Sequence, residues 1–435
     1  MKKFYLTTPI YYVNDKPHIG HAYTTLAADV LARFYREKGD EVFFLTGTDE
    51  HGQKVLEKAI EAGLKPKEFV DKNAKAFKDT YDSLGVSYDH FIRTTDVSHK
   101  EGVYEFFKSI ERFIYKDKYE GLYCTGCEKF ITEKELVLGK CPDHKKEPEK
   151  IKEENYFFKL KEFLPKVKEL IESDEIEVRP LERKNEALKM CEDLKDFSIS
   201  REKVSWGIPY PGDESQTIYV WVEALLNYWT AVRGKGLWPA DLHIIGKDIL
   251  KFHAIYWPAL LLAAGEELPK KIFVHGFFTV DGEKMSKTVG NVIDPNELVK
   301  EFGVEATRYL LLSQFSFGRD GDISIEKLKK DYNSDLANGL GNLVNRLKKV
   351  EVKSFKEVEP DLENLDFYGV LEEVKSGIRK VDRFLDKEEP WKKNDDSIWA
   401  KAWEDLFRVA VLLKPFMPET AEKILKQEKV FFEKK

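Results

Sequence analysis

Nowhere in these 435 residues does an apolar run approach the ~20 residues that span a bilayer. The apolar part of the N-terminus is also too short for a secretory signal. A membrane span and a secretory route are therefore not expected, and the expected compartment is the cytoplasm. Cysteine is down to four residues, Cys124, Cys127, Cys141 and Cys191. Three of them are clustered, which argues for metal rather than for a disulfide framework. There is no excess of positive charge: the net charge is −7, with 71 Lys and Arg against 78 Asp and Glu. A sequence-blind nucleic-acid binder would be basic, although local basic patches on an acidic body can still grip such a partner. Methionine and glutamine are scarce while lysine and glutamate abound, a bias resembling heat-adapted proteomes. No internal repeat and no low-complexity tract occurs.

What remains is globular, with 42% hydrophobic and 34% charged residues. The length is too great for one ordinary core and implies two to four domains. The chain is organised around residues 5–39. An apolar start leads through a turn at Asn14-Asp15-Lys16-Pro17 to His18-Ile19-Gly20-His21. Leu26, Ala27, Val30, Leu31 and Phe34 then recur at helix spacing, and Gly39 ends the segment. A strand thus feeds a loop that delivers two histidines and a glycine to a helix N-terminus. Unpaired N–H groups and the helix dipole there suit an anionic phosphate, and Gly20 allows close approach. Two surface histidines at a turn are the plainer alternative.

Strand and helix patterns alternate up to about residue 110, which implies a parallel sheet with ligands at the carboxyl ends of its strands. Asp49, Glu50 and His51 fall at one such end, where Asp49 could equally cap a helix. Cys124, Cys127, Cys141 and His144 then follow the spacing C-x2-C-x13-C-x2-H. Two knuckles of this kind complete a tetrahedral Cys3His set, so one structural zinc per chain is expected. Cys191 reads as ordinary core. The α/β pattern resumes after about 205, with strands expected over 217–221, 242–246 and 272–276. A flexible basic loop is expected around Lys284 and Lys287. From about 323 the pattern is helical and reads as a bundle. The expected organisation is an α/β, Rossmann-like parallel-sheet catalytic domain over 1–111 and 205–322. It is interrupted by a zinc-knuckle insertion over 112–204 and followed by an all-α domain over 323–435.

His18-Ile19-Gly20-His21 spells HIGH, and Lys284-Met285-Ser286-Lys287-Thr288 differs by one residue from KMSKS. Their order and separation resemble the class I aminoacyl-tRNA synthetases. Residues 7–14, 48–52, 198–201, 219–221 and 245–248, together with the knuckle, resemble the methionyl-tRNA synthetase family, nearly end to end. The resemblance implies activation of L-methionine by ATP with Mg2+, then transfer to tRNA(Met). It implies that His18, His21, Lys284 and Lys287 act on the triphosphate as preorganised cations. Gly20, Gly246, Asp248 and Lys287 would bind ATP. Asp49 would hold the methionine ammonium, oriented by an ion pair with Arg201. Ile10, Tyr12, Trp221, Ala224, Tyr228, Ile249 and His253 would line the side-chain pocket, with a hydroxyl or imidazole N–H near the sulfur. Leu225 departs from a proline found in part of the family. Asn342, Arg346 and Trp391 would read the CAU anticodon. A monomer is expected, with room for a separate tRNA-binding subunit. The competing readings are a non-catalytic tRNA-binding paralogue and a nucleotidyltransferase with a small-molecule acceptor.

Overall fold

The computed structural model describes residues 2–124, 129–131, 133, 136–142, 145–285, 290–393 and 395–435. Six parallel strands form the central sheet: β1 (Lys3–Tyr12), β2 (Glu41–Asp49), β3 (His90–Arg93), β4 (Glu177–Arg179), β5 (Leu242–Gly246) and β6 (Lys271–His275). Their spatial order is β3-β2-β1-β5-β6-β4. Chain order reverses between β1 and β5, and in open parallel sheets ligands bind in the crevice beyond such a reversal. β4 comes from inside the stretch expected as an insertion, so that stretch also contributes an edge strand to the catalytic sheet. It also holds the helices Leu164–Glu172 and Leu181–Asp193 and an antiparallel arm, Ile114–Cys124 paired with Glu149–Phe158, with Cys124 at its far end.

The strand expected over 217–221 lies earlier, over Asp213–Ile218. Pairing stops at Ile218, and Tyr219 caps a helix from Val220 to Leu225. The Tyr219 N–H still reaches the carbonyl of Ile199, the next residue in register, and the chain then turns into the helix. After Asp248, Phe252–Tyr256 is wound as a π segment. Such bulges occur often at functional sites. No helix among the described residues is long and apolar enough to cross a membrane.

Helix α1 (Ile19–Glu37) packs into the core with most of its residues buried, Asp29 among them. That carboxylate accepts from Arg33 Nε at 2.7 Å, from the Ser87 N–H and hydroxyl, and from Arg308 Nη2 at 2.6 Å. Arg308 also donates to the carbonyls of Phe416, Pro415 and Leu84. One buried guanidinium therefore joins α1 to the helical region that closes the chain. Arg308→Met is expected to cost about 2–4 kcal/mol in urea denaturation, because Asp29 stays buried with Arg33 as its only cation. A loss under about 1 kcal/mol would contradict this account of the contact.

Candidate active site

The first turn of α1 is built by its own imidazoles. His18 is the N-cap, and its Nδ1 accepts from the Gly20 N–H at 3.1 Å. His21 Nδ1 accepts from the His18 N–H at 3.2 Å, completing a capping box, and the two rings stack 3.8 Å apart. Because each Nδ1 is an acceptor, each proton belongs on Nε2, an assignment made from hydrogen-bond geometry. Both side chains keep an edge at solvent, but their rings are packed among protein groups. Burial pushes His18 down to about 4. Burial, with His18 alongside, holds His21 well below the ordinary imidazole value. Tyr11 and Phe77 pack on His21 and keep it dry.

Two expectations change here. The histidines are neutral N–H donors at pH 7, not cations. The first-turn amides are also occupied: Ile19 N–H goes to the Ile293 carbonyl at 3.1 Å, Gly20 N–H to His18 Nδ1, and those of His21 and Ala22 to the His18 carbonyl. Gly20 is needed because a Cβ there would lie 2.9 Å from His18 Cε1. The same Cβ would sit 3.7 Å from Met285 Cε, so the HIGH turn touches the KMSKT stretch. Lys284 lies in a short strand paired with Phe278–Val280. Its side chain, and Lys287, lie outside the described residues.

Across the crevice, Gly246 ends β5. A Cβ on it would meet Asp248 Oδ1 at 2.8 Å, so the exposed Asp248 carboxylate lies over the glycine. Asp49 ends β2 and is buried at 6% exposure. It does not cap the next helix, whose N-cap is Gly52. Arg201 is buried too. Its Nη1 donates to the carbonyl of Ser200 at 2.7 Å and to Ser198 Oγ at 2.8 Å. The guanidinium lies 3.8 Å from the Tyr219 ring centroid. His51, Arg201, Trp206 and Tyr219 line a narrow cleft.

Ile10, Tyr12, Trp221 and Ile249 pack, half-buried, on the core cluster that contains Tyr228. Ala224, Tyr228 and His253 are buried around them, and Trp221 stacks on Phe252 at 4.2 Å. His253 Nδ1 faces the Ile249 carbonyl at 3.0 Å and must donate to it. His253 Nε2 is then an acceptor and takes the Tyr228 hydroxyl proton at 2.8 Å. The expected imidazole N–H is thus spent on backbone, and what the pair leaves is a lone pair on the Tyr228 oxygen. Burial holds His253 at about 4, so the ring stays neutral.

Cys124 and Cys141 are buried and pack with Ile131 in a satellite cluster. Cys127 and His144 lie outside the described residues. Among the described residues, no group of three or more His, Cys, Asp or Glu is assembled for a metal. Asn342 is exposed at the start of the helix Asn342–Arg346. Arg346 pairs with Asp382 at 3.1 Å and Asp386 at 3.2 Å, near the end of the helix Phe367–Glu388. Trp391 follows that helix and is 54% exposed.

Sequence reasoning gave no role to Glu223 and His99. Glu223 is a buried carboxylate that contacts His51 at 2.7 Å and His99 at 3.1 Å. A charged residue amid Tyr219-Val220-Trp221-Val222 and Ala224-Leu225-Leu226 was the available signal. Burial acts to raise its pKa, but attraction and hydrogen bonds from the two imidazoles outweigh it and hold the carboxyl below its usual range.

A sequence profile described as "tRNA synthetases class I (M)" matches residues 4–151 and 143–348. The chain is 43% identical over 470 aligned positions to a methionine–tRNA ligase of Caldanaerobacter subterraneus, covering 98% of this chain and 74% of that protein. It is 42% identical over 480 positions to one of Thermotoga maritima, covering 100% and 76%. Among solved structures, it is similar to Mycobacterium tuberculosis methionyl-tRNA synthetase in complex with methionyl-adenylate. That likeness has a TM-score of 0.90 at 36% identity and covers 98% of this chain and 93% of the other. With the HIGH turn touching Met285 beside a parallel sheet and this chain matched almost end to end, the chain belongs to the methionyl-tRNA synthetase family of class I.

Proposed function

We propose that this chain is a methionine–tRNA ligase, converting L-methionine, ATP and tRNA(Met) to methionyl-tRNA, AMP and pyrophosphate for initiation and elongation. The observation that carries the proposal is the meeting of Gly20 with Met285 and of Ile19 with Ile293, one crevice away from Asp248 and beside Asp49. In the first step a methionine carboxylate oxygen attacks the α-phosphorus. A carboxyl O–P bond forms, the bond to the bridging oxygen breaks, and pyrophosphate leaves with the electron pair. Negative charge grows on the phosphate oxygens. His18 and His21 meet it with fixed Nε2–H donors, which need no reorganisation. Lys284 and Lys287 supply the positive charge, and Mg2+ arrives with ATP.

Asp248 accepts from the ribose hydroxyls, and Gly20 and Gly246 allow close approach of the nucleotide. Asp49 takes the ammonium of methionine, with Arg201 on the same side of the site. Ile10, Tyr12, Trp221, Ala224, Tyr228, Ile249 and His253 enclose the thioether, which suits aromatic rings. In the second step the terminal 2′-hydroxyl of tRNA attacks the methionyl carbonyl, and AMP departs. Charging of tRNA(Met) with labelled methionine tests the proposal, and charging with another amino acid instead would contradict it.

Asn342, Arg346 and Trp391 are proposed to read the anticodon, Trp391 by stacking. An exposed ring at a helix end supports this. Trp391→Ala is expected to lower kcat/KM for tRNA(Met) about 10- to 100-fold while methionine-dependent pyrophosphate exchange is retained. Parallel loss of both activities would contradict the assignment.

One structural zinc is proposed on Cys124, Cys127, Cys141 and His144. Two thiols buried together, with Ile131, among the described residues of the tip support it. A bound zinc would staple the tip of the arm and supply folding energy rather than chemistry. Cys124→Ala is expected to lose the metal by atomic absorption and to expose the arm to proteolysis. Unchanged metal content would contradict the ligand set. A monomeric, cytoplasmic enzyme completes the proposal.

A further inference from the structure

The two steps above leave the buried Glu223 carboxylate, close to the cleft, without a task. Glu223 sits two residues after Trp221 and directly before Ala224, with no exposed surface. Its Oε1 lies 2.7 Å from His51 Nδ1 and its Oε2 lies 3.1 Å from His99 Nε2. A carboxylate only accepts, so both imidazoles donate to it and both tautomers are fixed. His99 then uses Nδ1 to accept from Thr230 Oγ1 at 2.8 Å. His51 and His99 are themselves buried, at 2% and 1% exposure. The donors come from separate elements: His51 from the turn after β2, and His99 from the helix Val97–Ile110.

Desolvating a carboxylate this completely is costly unless every lone pair is used. Here the ion fastens three pieces of chain at one point, alongside the bonds from Glu50 to Arg93 and Thr95 and from Arg233 to Glu105. Two of those pieces carry the proposed methionine site. Asp49 precedes His51 by two residues, and Trp221 and Ala224 flank Glu223. We infer that Glu223, gripped by His51 and His99, is a positioning residue for methionine, fixing the distance from the Asp49 carboxylate to the wall formed by Trp221 and Ala224. This rests on the methionine reading of that site and adds a determinant to it. The ammonium and the thioether are held the same way before and during reaction at phosphorus. Loss of the clamp therefore weakens ground state and transition state alike, which raises KM and leaves kcat in place.

Pyrophosphate exchange with methionine and ATP varied separately tests this on Glu223→Gln, Glu223→Asp and His99→Gln. Glutamine matches glutamate in shape but turns an N–H toward one of the imidazoles. The KM for methionine is expected to rise about 10-fold in Glu223→Gln, with kcat and the KM for ATP changed less than about 3-fold. Glu223→Asp keeps the charge and is expected to recover part of that loss. His99→Gln is the sharper variant because His99 does not line the cleft. Its methionine KM is expected to rise about 5-fold. Variants that melt earlier yet keep the wild-type methionine KM would overturn the inference and leave Glu223 a merely structural ion. Equal rises in both KM values would also overturn it. Absence of methionine-dependent exchange in the unmodified, zinc-replete chain would overturn the activity reading itself, and that result is read before any variant is compared.

Discussion

Asp49→Ala is expected to lower kcat/KM for methionine about 100- to 10,000-fold in pyrophosphate exchange, with the KM for ATP changed less than about 3-fold. Asp49 is the last residue of its strand, buried, and in register with Tyr12 on the neighbouring strand, whose Val13 N–H donates to the Asp49 carbonyl at 3.1 Å. Its position is therefore set by backbone pairing to the neighbouring strand and not by a flexible loop. An ammonium brought to this carboxylate is desolvated with it. Removing one partner of a buried charge pair costs far more than removing an exposed one, about 3–5 kcal/mol against less than about 1. Asp49→Asn keeps the shape, so its loss isolates the charge. A fall of less than about 10-fold in both variants would mean that the ammonium is held elsewhere.

His18→Asn is expected to lower kcat for adenylate formation about 100-fold while unfolding free energy changes by less than about 1 kcal/mol. Asparagine is among the best N-caps, so it can keep the contact to the Gly20 N–H while removing the Nε2–H proposed to meet the phosphates. His21→Ala is expected to cost about 100- to 1,000-fold, together with one half of the capping box. The pH profile separates neutral donors from cations. If these rings titrated at the ordinary value near 6.5 and acted as imidazolium, kcat would fall as pH rises through about 6.5. With His18 at about 4 and His21 also depressed, both are already neutral at pH 6, so no descending limb from them is expected between about pH 6 and 8. Their loss of function lies on the acid side, below about 5, as the rings gain protons. A limb falling through about 6.5 that vanishes in His18→Asn would contradict the neutral assignment.

The parts of this fold legible in the sequence were those with a local pattern. The 3.6-residue stripe gave α1, and apolar runs gave the strands beginning near 4, 41, 242 and 271. Leu340, Leu343, Val344 and Leu347, spaced three and four apart in the region expected to be helical, are buried. What failed depended on distant partners. Strand β4 has three residues, too few for a periodicity to register, and exists because β6 pairs with it. Val220 and Trp221 are β-branched and aromatic, yet they start the helix Val220–Leu225, so tertiary context overrides propensity.

At the site, the motifs located His18, Gly20 and His21, but their protonation depended on ring stacking and on which nitrogen meets an amide. The same holds for His253, whose N–H is spent on the Ile249 carbonyl through the π-wound segment. Glu223 carries no periodic signal at all. Its partners are 172 and 124 residues away, and only the folded chain brings them to one carboxylate.

The central claim is that one crevice, between the HIGH turn, the KMSKT stretch and Asp49, activates methionine. ATP–pyrophosphate exchange on zinc-replete protein, with each protein amino acid supplied in turn, tests it most directly. The expected result is rapid exchange with methionine and none above background with the others. Exchange that depends on a different amino acid, or no exchange with any, would contradict it.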